Sequence, residues 1–285
     1  MEKDYRWKWV DDLTFLEIIN LINIGISCFN YKHQIPNDMD INKDYISPEN
    51  LTTTTHLKYI SDWTNKQKMK LNTNKTYNMV FNFTDKFQFN TRLNIDGHKI
   101  DTVSKIKLLG TIITNDLKWE ENTKELTKKA NMRMCLLRKV STFKPPLKDL
   151  RLIYIQYVRN ILEQSCVVWN SSLTMEQSEN IERIQKNACR IILKNDFQCY
   201  KTALLKLNLE TLEERRVQLC LKFALKGRNN PQIEELFQPK NKTHIMELRN
   251  TEIIEVKMAH TERYSNSAVP YMQRLINEYE HKKNL

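Results

Sequence analysis

Only four glycines, Gly25, Gly97, Gly110 and Gly227, punctuate this chain of 285 residues, and two of them fall in one short region. There, "LNIDGHKIDTVSKIKLLGTII" alternates apolar and polar residues around Asp96-Gly97, a pair suited to a two-residue hairpin turn because both positions need positive φ. The alternation predicts strands over 92–95, 98–103 and 107–113. Upstream, "LKYISDWTNKQKMKLN" spaces Leu57, Ile60, Trp63, Lys68 and Leu71 as a loose helix, and "YNMVFNF" follows as a short strand. The first third therefore mixes helix and sheet.

After Trp119 the pattern turns helical almost without a break. Pro145-Pro146 sets where a helix can start, and Leu150, Ile153, Tyr154, Tyr157, Val158, Ile161 and Leu162 then keep one apolar stripe. A capping box, Thr174 to Gln177, opens a helix expected to bury Ile181, Ile184, Ala188, Ile191 and Ile192. A second box, Thr211 to Glu214, opens "LEERRVQLCLKFALK", which Gly227 is expected to close as a C-cap. A weaker helix over 269–280 ends the chain. The expected class is α+β: a mixed segment over 1–118, a helical region over 119–226 and a helical tail over 227–285. The shift near Trp119 is the clear boundary, and 227–239 a lesser one.

Composition narrows the partners. Forty-five Lys and Arg against 34 Asp and Glu leave a formal charge of +11, which favours phosphate-rich partners. Nucleic acid is the preferred class, and no membrane is expected, since no long apolar span or lipidation signal appears. The six cysteines show no CxxC pair and no His at ligand spacing, so they read as buried free thiols in a reducing compartment. "MEKDYRWKWV" has no apolar signal core, which predicts an intracellular, non-secreted chain and makes the Asn-x-Ser/Thr triplets at Asn50, Asn82, Asn170 and Asn241 chance matches.

Two patterns could carry chemistry or binding. In "RWKWVDDLTF", Asp11 and Asp12 lie between two apolar runs that look like short strands. The pair serves either as ordinary hairpin-turn residues or as a divalent-metal site exposed at a hairpin tip. On the helix opened by Thr174, Arg183, Lys186, Arg190 and Lys194 fall opposite the apolar face at 100° per residue. Such a stripe either tracks a nucleic-acid backbone or, with Glu179 and Glu182 near the first turn, complements the helix dipole as a solvated face. "KELTKKANMRMCLLRKV" carries its cations more diffusely, and Tyr154 and Tyr157 sit on the apolar stripe of their helix.

Taken in order, these segments resemble the C-terminal half of reverse transcriptases encoded by non-LTR retrotransposons, particularly the jockey type. "KWVDD" is similar to the palm motif of an aromatic residue, any residue and two aspartates. "DWTNKQKMKLNTNKT" is similar to the next palm motif, a helix running into Lys-Thr. "KIKLLGTIITNDLKWEENT" resembles the Leu-Gly primer-grip hairpin with its Asp-Leu-x-Trp continuation. "VRNILEQSCVVWN", "IERIQKNACRII" and "LNLETLEERRVQLCLKFALK" resemble the helical region after the palm, and "TERYSNSAVPYMQRL" its usual end. Collinearity is the specific part of the match.

The resemblance implies a partial reverse-transcriptase palm of hairpins and one helix, followed by a thumb-like helical region, acting on an RNA template and a DNA primer. It implies Asp11 and Asp12 as ligands of catalytic Mg2+, Lys75 beside the leaving pyrophosphate, and Leu109 and Gly110 as the primer grip. From the residues alone, Lys75 reads equally as a solvated lysine and Gly110 as a hairpin glycine. The family also uses a carboxylate strand, a nucleotide loop and fingers that precede the aspartate pair. None is read before Tyr5, so an upstream polymerase segment of a longer product is the expected partner and the chain alone is expected to be inactive. The rival readings are a non-catalytic nucleic-acid-binding module and a protein-interaction scaffold.

Overall fold

The computed structural model describes residues 18–22, 25–29, 52–66, 68, 71–83, 93–239, 253–256, 258–259 and 261–283. Two compact units divide the chain, Met1–Leu117 and Lys118–Leu285. The class is α+β, mostly helical, and among the described residues every strand ladder lies in the first unit.

In that unit, β1 (Ile18–Ile22) and β2 (Gly25–Phe29) form an antiparallel hairpin. The hairpin expected at Asp11 and Asp12 lies outside the described residues. Helix α1 (Thr52–Lys66) stops short of Lys68 and Leu71, which the sequence pattern includes. Leu57 and Leu71 pack on a small core of Leu93, Ile95 and Ile100, and Ser61 Oγ donates to Asp96 Oδ1 at 2.6 Å. The strand β3 (Tyr77–Asn78) is shorter than "YNMVFNF". Next, β4 (Asn94–Ile95) and β5 (His98–Lys99) pair antiparallel, with Asp96 and Gly97 at φ 48° and 80°, the primed turn that Asp-Gly favours. β6 (Asp101–Thr102) pairs in parallel with β3.

The strand expected over 107–113 is in fact two. β7 (Lys105–Leu108) and β8 (Thr111–Thr114) pair antiparallel around Leu109 and Gly110, both at positive φ. Gly110 permits the reversal, and the fold sets Ile106 opposite Ile113.

The second unit begins with α2 (Glu120–Thr142). Helix α3 (Leu147–Ile153) passes through a π-helical stretch, Tyr154–Arg159, into α4 (Asn160–Glu163). Its buried positions, Leu150, Tyr154, Val158 and Leu162, recur every four residues. A regular α-helix would rotate each by about 40° from the last, and the wider π turn keeps them on one face. Tyr157, expected on that stripe, is 48% exposed. Five helices follow that matter here: α5 (Cys166–Trp169), α6 (Met175–Leu193), α7 (Tyr200–Leu207), α8 (Leu212–Gly227) and, after α9 (Glu262–Ser265), α10 (Ala268–Lys283).

Both expected capping boxes form: Thr174 with Gln177 opens α6, and Thr211 with Glu214 opens α8. A third, Cys199 with Thr202, opens α7. Gly227 is not a left-handed C-cap. It sits at the end of α8 because a Cβ there would lie 2.7 Å from Phe237 Cε2. Phe237 belongs to a core with Cys220, Ala224, Ile254, Met272 and Ile276, which folds the segment after α8 back onto it.

Helices α2 and α6 run parallel. Gln177 Nε2, at the start of α6, donates to the Lys118 carbonyl just before α2 at 3.2 Å. At the other end, Ser141 Oγ donates to the Ile191 carbonyl at 3.3 Å, and Lys194 Nζ to the Ser141 carbonyl at 2.6 Å.

Candidate nucleic-acid interface

Helix α6 shows how one amphipathic segment positions a charged face. Ile181, Ile184, Gln185, Ala188, Cys189, Ile192 and Leu193 are buried. Ile191, expected among them, is half-buried, its turn of the face being taken by Ile192. Arg183, Lys186 and Arg190 are all on the outer side and span about 10 Å of helix axis. Lys194, expected on the same stripe, falls just past the last helical residue at φ 49°, with its ammonium on the Ser141 carbonyl.

Among the described residues none of these four cations pairs with a carboxylate. Arg183 Nη2 donates to Asn180 Oδ1 at 2.6 Å, and Arg190 Nη1 to Asn187 Oδ1 at 3.2 Å. The Arg190 guanidinium also lies 5.3 Å from the centroid of the Phe197 ring, a cation–π contact that restrains it. Each arginine is thus steered by a neutral partner and keeps donors for an anion. The sequence pattern of cations does not reveal Asn180, Asn187 and Phe197. The two asparagines have a signal in the Asn-x-x-Arg pattern repeated at seven-residue spacing in "ENIERIQKNACRII", and Phe197 has none there.

The more diffuse cations of α2 behave differently. Lys124 Nζ meets Glu120 Oε1 at 2.6 Å and Lys129 Nζ meets Glu125 Oε1 at 3.3 Å, so part of that charge is neutralised along its own helix.

A buried polar network fixes the rotation of α6 behind its exposed face. Tyr154 Oη donates to Gln185 Oε1 at 2.7 Å, and Gln185 Nε2 donates to Tyr200 Oη at 2.9 Å and to the Glu210 carbonyl at 2.8 Å. Tyr200 Oη also donates to Glu182 Oε1, which accepts the Leu212 amide at 3.1 Å. Burial pushes the Tyr154 and Tyr200 phenols up, and the bond to Glu182 raises Tyr200 further. Arg216 is buried nearby, its Nε bonded to Asn170 Oδ1 at 2.7 Å and its Nη2 to Ser178 Oγ at 3.1 Å. Burial lowers its pKa, and the charge of Glu182 opposes that fall.

The remaining candidate residues lie elsewhere. Asp11 and Asp12 are outside the described residues. Lys75 ends a 3-10 turn, Thr73–Lys75, with an exposed side chain. Leu109 and Gly110 form the β7–β8 turn at φ 46° and 87°, with Leu109 76% exposed. Leucine at positive φ costs about 1–2 kcal/mol relative to its ordinary region. Among the described residues no group of three or more His, Cys, Asp or Glu could hold a metal ion. Cys135, Cys166, Cys189, Cys199 and Cys220 are free; Cys166, Cys189 and Cys220 are buried as expected, whereas Cys135 and Cys199 are exposed. No helix among the described residues is long and apolar enough to cross a membrane.

No family model matches the sequence, no curated protein matches it, and no solved structure matches the fold.

Proposed function

We propose that this chain is the C-terminal part of an RNA-directed DNA polymerase of the non-LTR retrotransposon class, in which α6 holds the RNA template and DNA primer by their phosphates. In this reading residues 1–118 are a palm remnant, 119–226 a thumb-like region and 227–285 its tail. The collinear motifs support the polymerase part. The carrying observation for binding is the α6 face: Arg183, Lys186 and Arg190 on one outward stripe, with neutral partners orienting both arginines. Asp11 and Asp12 as Mg2+ ligands, Lys75 at the pyrophosphate and Leu109 with Gly110 at the primer rest on the resemblance alone. In this reading an upstream polymerase segment is the partner that carries the family's third palm carboxylate. Phosphate binding by α6 makes no use of the ion.

The same observation favours a second reading, a non-catalytic nucleic-acid-binding module, because the α6 face is complete within one helix. The test is affinity for an RNA–DNA duplex as a function of salt. Replacing Arg183, Lys186 and Arg190 together by Gln is expected to make the slope of log K against log salt shallower by about 2–3, near 0.7–0.9 for each phosphate no longer neutralised. An unchanged slope refutes the assignment of α6. Template-dependent extension in Mg2+ that is lost in Asp11→Asn selects the polymerase reading over the module.

A further inference from the structure

Helix α2 is apolar in two directions. One face, Leu126, Ala130, Met134 and Leu137, is buried in the helical unit. The opposite face carries Met132 and Leu136, and Phe143 continues it at the C-cap just past the helix; the three are 59%, 40% and 83% exposed. With Lys139 these residues have spacings of four, three and four, the seam of a heptad repeat. Scattered exposed apolar residues are ordinary, but three aligned on one seam, away from the core, form a surface shaped for another helix. Methionine, flexible and polarizable, suits such a contact.

Charge defines the partner. From Leu126 to Lys148 the chain carries seven cations and no acidic residue. Lys128 and Arg133 flank the seam at the positions that set partner choice in paired helices, and Lys139 occupies the seam itself. Among the described residues no carboxylate pairs with any of the three. A second copy of this face would bring like charges together, which disfavours self-pairing.

We infer that the outward seam of α2 docks an acidic amphipathic helix of a partner protein, with a carboxylate on the partner's own seam placed against Lys139. This surface is separate from the α6 stripe and does not depend on the function proposed above. Three turns of contact are small, so the expected Kd is about 1–100 µM.

The probe is a synthetic labelled helix with leucine along its seam, glutamate on its flanks and one seam glutamate, titrated with the full chain by fluorescence anisotropy. Leu136→Ser with Phe143→Ser is expected to weaken binding at least tenfold, with the circular dichroism unchanged because both side chains are exposed. Lys139→Glu is expected to lose this peptide and to bind instead one whose seam glutamate is lysine. That exchange is the decisive result, since an unspecific basic surface would not produce it. Absence of binding at 1 mM peptide, or no exchange with Lys139→Glu, overturns the inference. It is equally overturned if Leu136→Ser with Phe143→Ser abolishes binding to anionic vesicles or single-stranded RNA, or dissolves a dimer in sedimentation, while leaving the peptide bound.

Discussion

Gln185 offers the sharpest test of how the helical unit is held. Its side chain is fully buried and ties Tyr154, Tyr200 and the Glu210 carbonyl together. Gln185→Met keeps the length of the side chain and removes both the donor and the acceptor, so little cavity forms. Tyr200 retains Glu182, and Glu210 is an exposed residue whose carbonyl can turn to water. Tyr154 has no such alternative, being fully buried with its hydroxyl on Gln185. Leaving that hydroxyl unpaired costs about 1–3 kcal/mol, and removing the bond to Glu210 about 0.5–1.5 kcal/mol more. The expected loss is therefore about 2–4 kcal/mol, a large share of the roughly 5–15 kcal/mol typical of a folded domain. Urea unfolding of the full chain, followed by far-ultraviolet circular dichroism, reads this directly. Adding Tyr154→Phe removes the orphaned hydroxyl, so the double variant is expected to recover about 1 kcal/mol over Gln185→Met alone. A single variant within about 0.5 kcal/mol of the wild type, or two effects that simply add, refutes the network as described.

Gly227→Ala places a methyl group 2.7 Å from the Phe237 ring, which is itself buried in the α8–α10 core. Overpacking of this kind costs about 1–3 kcal/mol, more than alanine's helix propensity returns, so the urea midpoint should fall; a rise would mean Phe237 moves freely. Thiol labelling separates the cysteines. The Thr202 hydroxyl and amide hold the exposed Cys199 thiol below its ordinary value, so more of it is thiolate at neutral pH, whereas burial pushes Cys189 up to about 12. Cys199 is expected to react with iodoacetamide first and Cys189 only on unfolding, with Thr202→Val slowing Cys199 at pH 7; mass spectrometry showing Cys189 labelled early would contradict the burial.

The parts of this fold that are legible from sequence are those governed by neighbours in the chain. Thr174 with Gln177 and Thr211 with Glu214 place two helix starts, and Asp96-Gly97 places a turn, because each acts within four residues. The π stretch at 154–159 has a trace in the four-residue spacing of Leu150, Tyr154, Val158 and Leu162, yet only packing on one face forces the turn to widen. Gly227 resembles a cap in the sequence because its role depends on Phe237, a neighbour no local pattern announces. Leu109 hides the β7–β8 turn, since leucine is a poor signal for positive φ. The helical wheel places Arg183, Lys186 and Arg190 outward, but it carries Lys194 past the real end of the helix, and it describes faces rather than donors and acceptors, and so misses Asn180, Asn187 and Phe197.

The parallel run of α2 and α6 has an electrostatic consequence. Two helix dipoles side by side and pointing the same way collect about one full unit of negative partial charge where both helices end. The side chains run the other way: Glu120, Glu121 and Glu176 sit in the first turns, Lys139 and Arg190 in the last, and the Lys194 ammonium caps the carbonyl of Ser141 at the shared end. The backbone poles are thereby offset, and what a distant polyanion meets is the side-chain gradient. Under the function proposed above, a nucleic acid would be steered to the end where the chain leaves both helices, and would meet Arg190 before Arg183.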